Sequence, residues 1–490
     1  MPEADRTGGR GLSGPAPQAP RAGSTPLAKA GDSDTETYAH VFVTNIGGAG
    51  MSAVATLLAE RGHAVSGHDP AETTPFVAPL RALGVDVATG SEQPALDAEV
   101  TAVVVSTATP ADNPAVVDAR GRDLPVLHRA DALAWLTSER TTVSVAGTHG
   151  KTTTSAMLAT ILDTVGVKPG WVVGAPIPGL GRSSAWGGDG PLVVEADESD
   201  GTFLRLATDV AVVTNVEPDH LEHYGSFEAL VEAFRSFLAN AEQRVVCADD
   251  TFAGELGQEV RAVRYGTDPS ADVRIVDPVS TAEGLSFGLV QAGSPEPVPV
   301  RLQVHGMHNA RNATAAVTAA VLVGVPLVDA AAALDDYVGV ARRFEARGEA
   351  FGATLVDDYA HLPTEVAAAI AAARELDGRR VVCVFQPHRY SRTEAHGRDF
   401  ASAFTEADLL AITDVYAAGE APRPGVSGKL VVDAVLDADP AAQVAYLPHL
   451  DDVVLWLRQT LRPGDVCLTL GAGDLTTVPT RLVELSTRSG

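Results

Sequence analysis

Residues 143–158 read VSVAGTHGKTTTSAML and put Lys151 and Thr152 directly behind two glycines, Gly147 and Gly150. Those residue types suit the holding of a phosphate. Glycines let backbone amides turn toward an anion, a lysine neutralises β- and γ-phosphates, and a threonine hydroxyl can ligate a magnesium ion. Val143 and Val145 alternate into the loop, which predicts a strand. Met157, Leu158, Ile161, Leu162 and Val165 then recur at helical spacing, and Gly166 can end that helix. The positive end of the helix dipole adds to the anion site. The candidate ATP loop is Gly147, Thr148, His149, Gly150, Lys151, Thr152 and Thr153. It is shorter than the GxxxxGK[ST] pattern, whose first glycine falls on Val145. The competing reading is a tight strand-to-helix turn with an exposed lysine.

Further candidates follow other strand-like runs. VVEADESDGTF sets Glu195 just beyond an apolar strand, and TNVEPDHLEHYG sets His220 after the next one. Neighbouring parallel strands deliver their C-terminal ends to one crevice, so Thr152, Glu195 and His220 form a candidate metal set. Taken singly, Glu195 also reads as part of an acidic helix start, and His220 as an ordinary loop histidine. GMHNARNATAA offers Asn309 and Asn312, whose amides can read an adenine edge or cap a helix. GVARRFEARG places Arg342 and Arg343 at a hinge, from which a guanidinium can steady a γ-phosphate. LVDDYAHLPTEV ends a strand on Asp357 and Asp358. FQPHRYSRT gathers His388, Arg389 and Arg392, a group suited to a small carboxylate or to a solvated basic loop.

Near the start, TNIGGAGMS provides Gly47, Gly48, Ala49, Gly50, Met51 and Ser52 between a strand and a helix. With Asp69 at the end of the next strand, this reads as a dinucleotide-binding turn for a cofactor such as NAD. Asn45 occupies the first glycine position of that pattern, and asparagine tolerates the left-handed conformation such a turn needs.

The elements that must position these residues form an α/β chain. At 490 residues, two or three domains are expected. Short continuous apolar runs alternating with helical segments predict parallel sheets covered on both faces. We divide the chain into a disordered tail (1–37), an N-terminal domain (38–138), a central domain (139–341) and a C-terminal domain (342–490). A net charge of −27 argues against broad nucleic-acid or anionic-membrane binding, since both need basic surface. No apolar run of ~20 residues is present for a membrane span, and no secretory apolar segment opens the chain. Cys247, Cys383 and Cys467 form no CxxC pair, which fits a reducing compartment.

The motif GTHGKTT resembles the ATP loop of the Mur ligase family, which is likewise shorter than Walker A. The stretches around Glu195 and His220 are similar to that family too, and TNIGGAGMS resembles its GIGGxGMS loop. The resemblance spans about residues 40–480. It implies three domains in series: a Rossmann-like UDP-sugar-binding domain, a central P-loop-type ATPase domain with a mostly parallel sheet, and a C-terminal Rossmann-like domain. It implies an enzyme of the branch that joins L-alanine to the lactyl carboxylate of UDP-N-acetylmuramate with ATP, through an acyl phosphate, in peptidoglycan synthesis. Mg2+ or Mn2+ is implied at Thr152, Glu195 and His220, with Lys151 and Arg343 at the phosphates. Asn309 and Asn312 are implied at the adenine, Asp357 and Asp358 at the ribose, and His388, Arg389 and Arg392 at the amino acid. Residues 47–52, Asp69 and Ser106 are implied at the UDP-sugar. A cytoplasmic monomer or homodimer is expected.

Several members of the family use a carbamylated lysine shortly after the histidine. This chain has none between His220 and Asn240, and Phe234 is the nearest counterpart. The alanine-adding branch shares that lack. Leu362 stands where the family usually has a second histidine. Three rival readings remain: a muropeptide-recycling ligase that attaches a preformed tripeptide, an NAD-dependent oxidoreductase, and a non-catalytic nucleotide-binding member.

Overall fold

A computed structural model describes residues 38–281, 283–291, 294–376 and 380–489. The expected tail, 1–37, lies outside the described residues.

The N-terminal sheet consists of β1 (His40–Thr44), β2 (Ala64–Asp69), β3 (Asp86–Thr89), β4 (Ala102–Val105) and β5 (Val126–His128). Its order is β3-β2-β1-β4-β5, all parallel. The order reverses between β1 and β4, so the turn after β1 and Ser106 after β4 open into the same crevice.

The central sheet contains β6 (Thr142–Ala146), β7 (Gly170–Val172), β8 (Ser184–Ala185), β9 (Leu192–Glu195), β10 (Val210–Val213), β11 (Gln243–Cys247), β12 (Val263–Gly266), β13 (Val273–Thr281), β14 (Gly284–Gln291) and β15 (Ser294–Leu302). The order is β15-β14-β13-β12-β11-β10-β6-β9-β7-β8. Pairing is parallel from β7 through β13, with an antiparallel β13-β14-β15 meander at one end and antiparallel β8 at the other. Pro297 and Pro299 fall on the edge strand β15, where a missing ladder donor is tolerated. Strand β6 runs between β10 and β9, which brings the three chain segments after these strands together.

Helices Lys151–Thr164 and Met307–Leu322 cover one face of this sheet. The second is rich in alanine, so it can be buried on nearly every side. Met157, Leu158, Ile161 and Leu162 are fully buried, each contributing roughly 2 kcal/mol by removal from water. Helices Phe227–Asn240 and Thr251–Val260 cover the other face. The N-terminal domain is fused to the central one through a common core in which Leu57 and Trp135 join Leu192 and Val194 of β9. Glu60 reinforces this seam by pairing with Arg182 and accepting from the Trp186 amide.

The C-terminal sheet holds β16 (Glu345–Ala350), β17 (Ala353–Asp358), β18 (Val381–Phe385), β19 (Leu409–Ile412), β20 (Val444–Tyr446) and β21 (Val466–Leu470). Its order is β16-β17-β21-β18-β19-β20, parallel except for the edge strand β16.

Candidate functional site

Loop 147–150 leaves β6 and enters helix Lys151–Thr164. Gly147 and Gly150 have φ of 132° and 79°, values that L side chains rarely adopt. A Cβ on Gly147 would also fall 2.1 Å from the Thr214 hydroxyl. The first half of the loop is tied to the segment after β10. The Thr148 amide donates to Asn215 O at 3.1 Å, and the His149 amide donates to Asn215 Oδ1 at 2.8 Å. Expected to face the phosphates, these two amides are instead committed within the protein. The open amides are those of Lys151, Thr152 and Thr153, the first turn of the helix, which has no acceptor of its own for them.

Lys151 folds back over the loop. Its Nζ donates to Gly147 O at 2.6 Å, Thr148 O at 3.2 Å and Glu198 Oε1 at 2.9 Å. Burial alone would lower its pKa, but Glu198, Asp197 and Glu195 override burial and hold the ammonium charged. Glu198 is 1% exposed and its Oε2 has no hydrogen-bond partner among the described residues. Burial pushes its pKa up, against the pull of Lys151.

Glu195, at the end of β9, accepts from Thr152 Oγ1 at 2.8 Å and from the Gly174 amide at 2.5 Å. His220 has a left-handed φ of 53° at the start of the short turn Leu221–Tyr224. Its Nε2 lies 3.3 Å from Asp219 Oδ2. Thr152, Glu195, Asp197, Asp219 and His220 line one cleft of about 620 Å³ with Lys151.

The opposite wall of that cleft is the C-terminal domain. Arg343, His388, Arg389 and Arg392 all face it. Arg343 stacks over Tyr359 at 5.1 Å and also borders a second cavity. Arg392 reaches Asp219 at 3.3 Å and His388 Nδ1 at 3.1 Å. Arg389 makes no ion pair within 4 Å among the described residues, and its Nε is buried without a partner. Burial holds His361 neutral, with a pKa of about 4, and His388 likewise at about 3, helped there by His361 and the two arginines. Arg342 also lines this cleft. Its guanidinium donates to Gly471 O at 2.6 Å and fastens the hinge to the C-terminal domain.

The second cavity, about 300 Å³, adjoins the loop and is lined by Thr153, Asn309, Asn312, Arg343 and Asp358. Asn309 and Asn312 are 4% and 7% exposed, and the Asn312 amide donates to Asn309 Oδ1 at 3.4 Å. Asp357 does not join them. Neighbouring strand residues face opposite sides, and Asp357 accepts from Thr469 and Thr476 hydroxyls at 2.6 Å each. Only Asp358 of the acidic pair faces the cavity.

Three family patterns match the chain in series. They are the Mur ligase family catalytic domain over residues 40–141, the Mur ligase middle domain over 145–320, and the Mur ligase glutamate ligase domain over 342–473. The chain belongs to the Mur ligase family. It is 46% identical to the UDP-N-acetylmuramate--L-alanine ligase of Kineococcus radiotolerans, over 91% of this chain and 96% of that protein. With the Saccharopolyspora erythraea ligase of that name it shares 42% identity, over 96% and 98%. The crystal structure of the UDP-N-acetylmuramate-alanine ligase MurC from Thermotoga maritima matches with a TM-score of 0.74 at 28% identity, covering 92% of this chain and all of that one (100%).

Two departures from the usual Mur ligase pattern are accommodated. Asn45 has φ 50° and accepts from the Gly48 amide at 3.0 Å, so the turn forms without its first glycine. Leu362 is 4% exposed, and its neighbour His361 faces the cleft instead. Phe234 is fully buried against Phe203, with ring centroids 5.6 Å apart. A charged lysine derivative has no place there.

In the N-terminal domain of this Mur ligase, Gly47 donates its amide to Asp69 Oδ2 at 2.8 Å, and Ala71 donates to Asp69 Oδ1 at 2.9 Å. Asp69, expected at the sugar nucleotide, therefore fixes the turn. The open amides are again those of a first helical turn, Ala49, Gly50 and Met51, with Ser52 already bonded to Gly48 O. Ser106 is tied to the end of β1 through Thr109, which bonds both Ser106 N at 3.1 Å and Thr44 Oγ1 at 3.0 Å. Sequence reading passed over Arg129. Its guanidinium lies 2.5 Å from where a Gly50 Cβ would be, adding a cation to this loop. It lies in the stretch HRADALAWL, residues 128–136. Glu198, Asp219 and Glu217 were missed as well, because acidic residues in loops read as solvated surface, and Glu365 because an acidic residue in a first helical turn reads as an ordinary cap.

Proposed function

We propose that this Mur ligase forms the amide between L-alanine and the lactyl carboxylate of UDP-N-acetylmuramate, with ATP converted to ADP and phosphate. The observation that carries the reading is the single cleft in which Lys151, Glu195 and His220 face Arg343, Arg389 and Arg392. The likeness to alanine ligases over nearly the whole chain supports the substrate assignment. We take the domain limits as 38–138, 139–341 and 342–490, and the cytoplasm as the working compartment. No helix among the described residues is long and apolar enough to cross a membrane.

Carboxylates do not react with amines in neutral water, so activation is needed. A lactyl carboxylate oxygen attacks the γ-phosphorus, and the bond to the β-phosphate oxygen breaks. The alanine amine then attacks the acyl carbon, loses a proton, and phosphate leaves. Lys151 and Arg343 face the transferring phosphoryl group from opposite domains, where fixed cations stabilise developing charge. Asn309 and Asn312 hold the base, and Asp358 the ribose. Arg389 takes the alanine carboxylate so that the amine points to the acyl carbon. Contact between the two domains keeps water from the acyl phosphate.

The residues present fit Mg2+ or Mn2+. Thr152, Glu195 and Asp219 are hard oxygen donors on one cleft with His220. Among the described residues no group of three or more His, Cys, Asp or Glu side chains could hold a metal ion by itself. That pattern suits an ion held by one or two carboxylates and substrate phosphates. Bound there, it would neutralise phosphate charge.

Phosphate release measured with ATP, UDP-N-acetylmuramate and a panel of amino acids tests the reading. Turnover with L-alanine is expected. Turnover only with a preformed tripeptide, or none with any acceptor, would overturn it.

A further inference from the structure

His149 belongs to the phosphate loop, yet its side chain leaves it. Nδ1 lies 3.0 Å from Glu365 Oε1, and Nε2 lies 3.2 Å from Glu217 Oε2 and from Thr364 Oγ1. The Thr364 hydroxyl donates to Glu217 Oε2 at 2.8 Å. Thr364 and Glu365 open helix Pro363–Arg374 of the C-terminal domain, whereas Glu217 follows β10 of the central domain. The other Glu365 oxygen accepts from the His361 amide at 2.9 Å and the Leu362 amide at 3.2 Å. Arg343 approaches Glu365 at 3.9 Å.

Both carboxylates accept only, and the Thr364 proton is already committed. A neutral imidazole has one donor, so only the doubly protonated ring satisfies both sides. We propose that His149 and Glu365 are positioning residues for the ligase reaction. The imidazolium held between Glu217 and Glu365 locks the C-terminal domain in register with the phosphate loop and so sets where Arg343 and Arg389 arrive.

Burial opposes charge on His149, but Glu365 and Glu217 override it and raise its pKa to about 9. Arg343 also faces Glu365 and tempers its charge, whereas His361 and His308 beside it are held neutral by burial, at about 4 each, and Asp358 adds like charge. With the domains apart, His149 returns toward its ordinary 6.5. The latch is therefore complete below that value and is lost as pH rises through about 9.

The kinetic part rests on the ligase reading, but the closure part does not. X-ray scattering of the nucleotide-free full chain, from pH 7 to pH 10, reads closure directly. The wild type should expand as pH passes about 9. His149→Ala and Glu365→Gln should be expanded at every pH. In turnover, both should lose roughly ten-fold in kcat, with KM for ATP changed less than about three-fold, and should lack the wild-type alkaline fall. His149→Ala that is folded by its melting curve, as compact as the wild type and with an unchanged alkaline limb, would overturn the proposal. A wild type that closes as described yet turns over no alanine would count against the ligase reading alone.

Discussion

Arg392 of the C-terminal domain meets Asp219 of the central domain, 3.3 Å from each carboxylate oxygen and one residue before His220. Burial opposes charge on Asp219, but Arg392 and His220 override it and hold its pKa below the usual range. The two arginines of FQPHRYSRT thus have different work. Arg392 spans the cleft, and Arg389, with no ion pair within 4 Å among the described residues, is the one proposed for the substrate carboxylate.

The arginine variants should separate in steady-state kinetics. A charged hydrogen bond contributes roughly 1.5–3 kcal/mol, so Arg389→Ala should raise KM for alanine by roughly ten- to hundred-fold with kcat largely kept. Arg392→Ala should lower kcat as well, because Asp219 loses its counter-charge beside His220. Equal effects of the two substitutions on kcat would refute this division.

Lys151 and Glu198 are a buried pair, with side chains 14% and 2% exposed. Removing one partner strands the other, at a cost of about 3–5 kcal/mol, whereas removing both is often near neutral. Lys151→Met should therefore abolish phosphate release and lower Tm. Lys151→Met combined with Glu198→Gln should recover most of the Tm and none of the activity. Calorimetry alongside the phosphate assay checks this. A double variant no more stable than the single one would show that Glu198 is not held by Lys151.

The parts visible in the sequence were those fixed by local periodicity. The strand and helix around Gly147–Lys151 follow from apolar spacing, and Glu195 and His220 follow from the ends of neighbouring parallel strands. The antiparallel meander β13–β15 went unread although β13 begins with alternating burial, and polar β16 gave no apolar run to notice. Pairs across the cleft left no local trace. His149 and Glu365 are 216 positions apart, and Arg392 and Asp219 are 173 apart. Strand alternation alone, applied to β17, would have separated Asp357 from Asp358.

Asn45 should tolerate glycine but not a branched residue. Its φ of 50° is left-handed, and that conformation costs about 1–2 kcal/mol in residues without a short polar side chain. Asn45→Gly should keep Tm and UDP-sugar affinity. Asn45→Val should lower both, since Gly48 and the first helical turn follow directly. Thermal melts and calorimetric titration of the sugar nucleotide decide it. Unchanged sugar binding in Asn45→Val would detach this turn from the UDP-sugar.

Asp358 should make nucleotide binding depend on pH. Burial pushes its pKa up to about 6, while Arg343 and the amides of Phe344 and Ala360 pull the other way. Both amides donate to its carboxylate at 2.7 Å. In the ribose contact proposed for it, the ionised form accepts the hydroxyls best, so KM for ATP should rise as pH falls through about 6, by up to ~ten-fold per unit. Stability should move oppositely. The folded pKa lies above the ordinary 3.8, so the nucleotide-free protein gains stability as pH falls from about 6 toward 3.8 and loses that gain as pH rises. Asp358→Asn should flatten the KM profile and raise KM at neutral pH toward the acid value of the wild type. An acid rise in KM that survives in Asp358→Asn would assign the titration to another group.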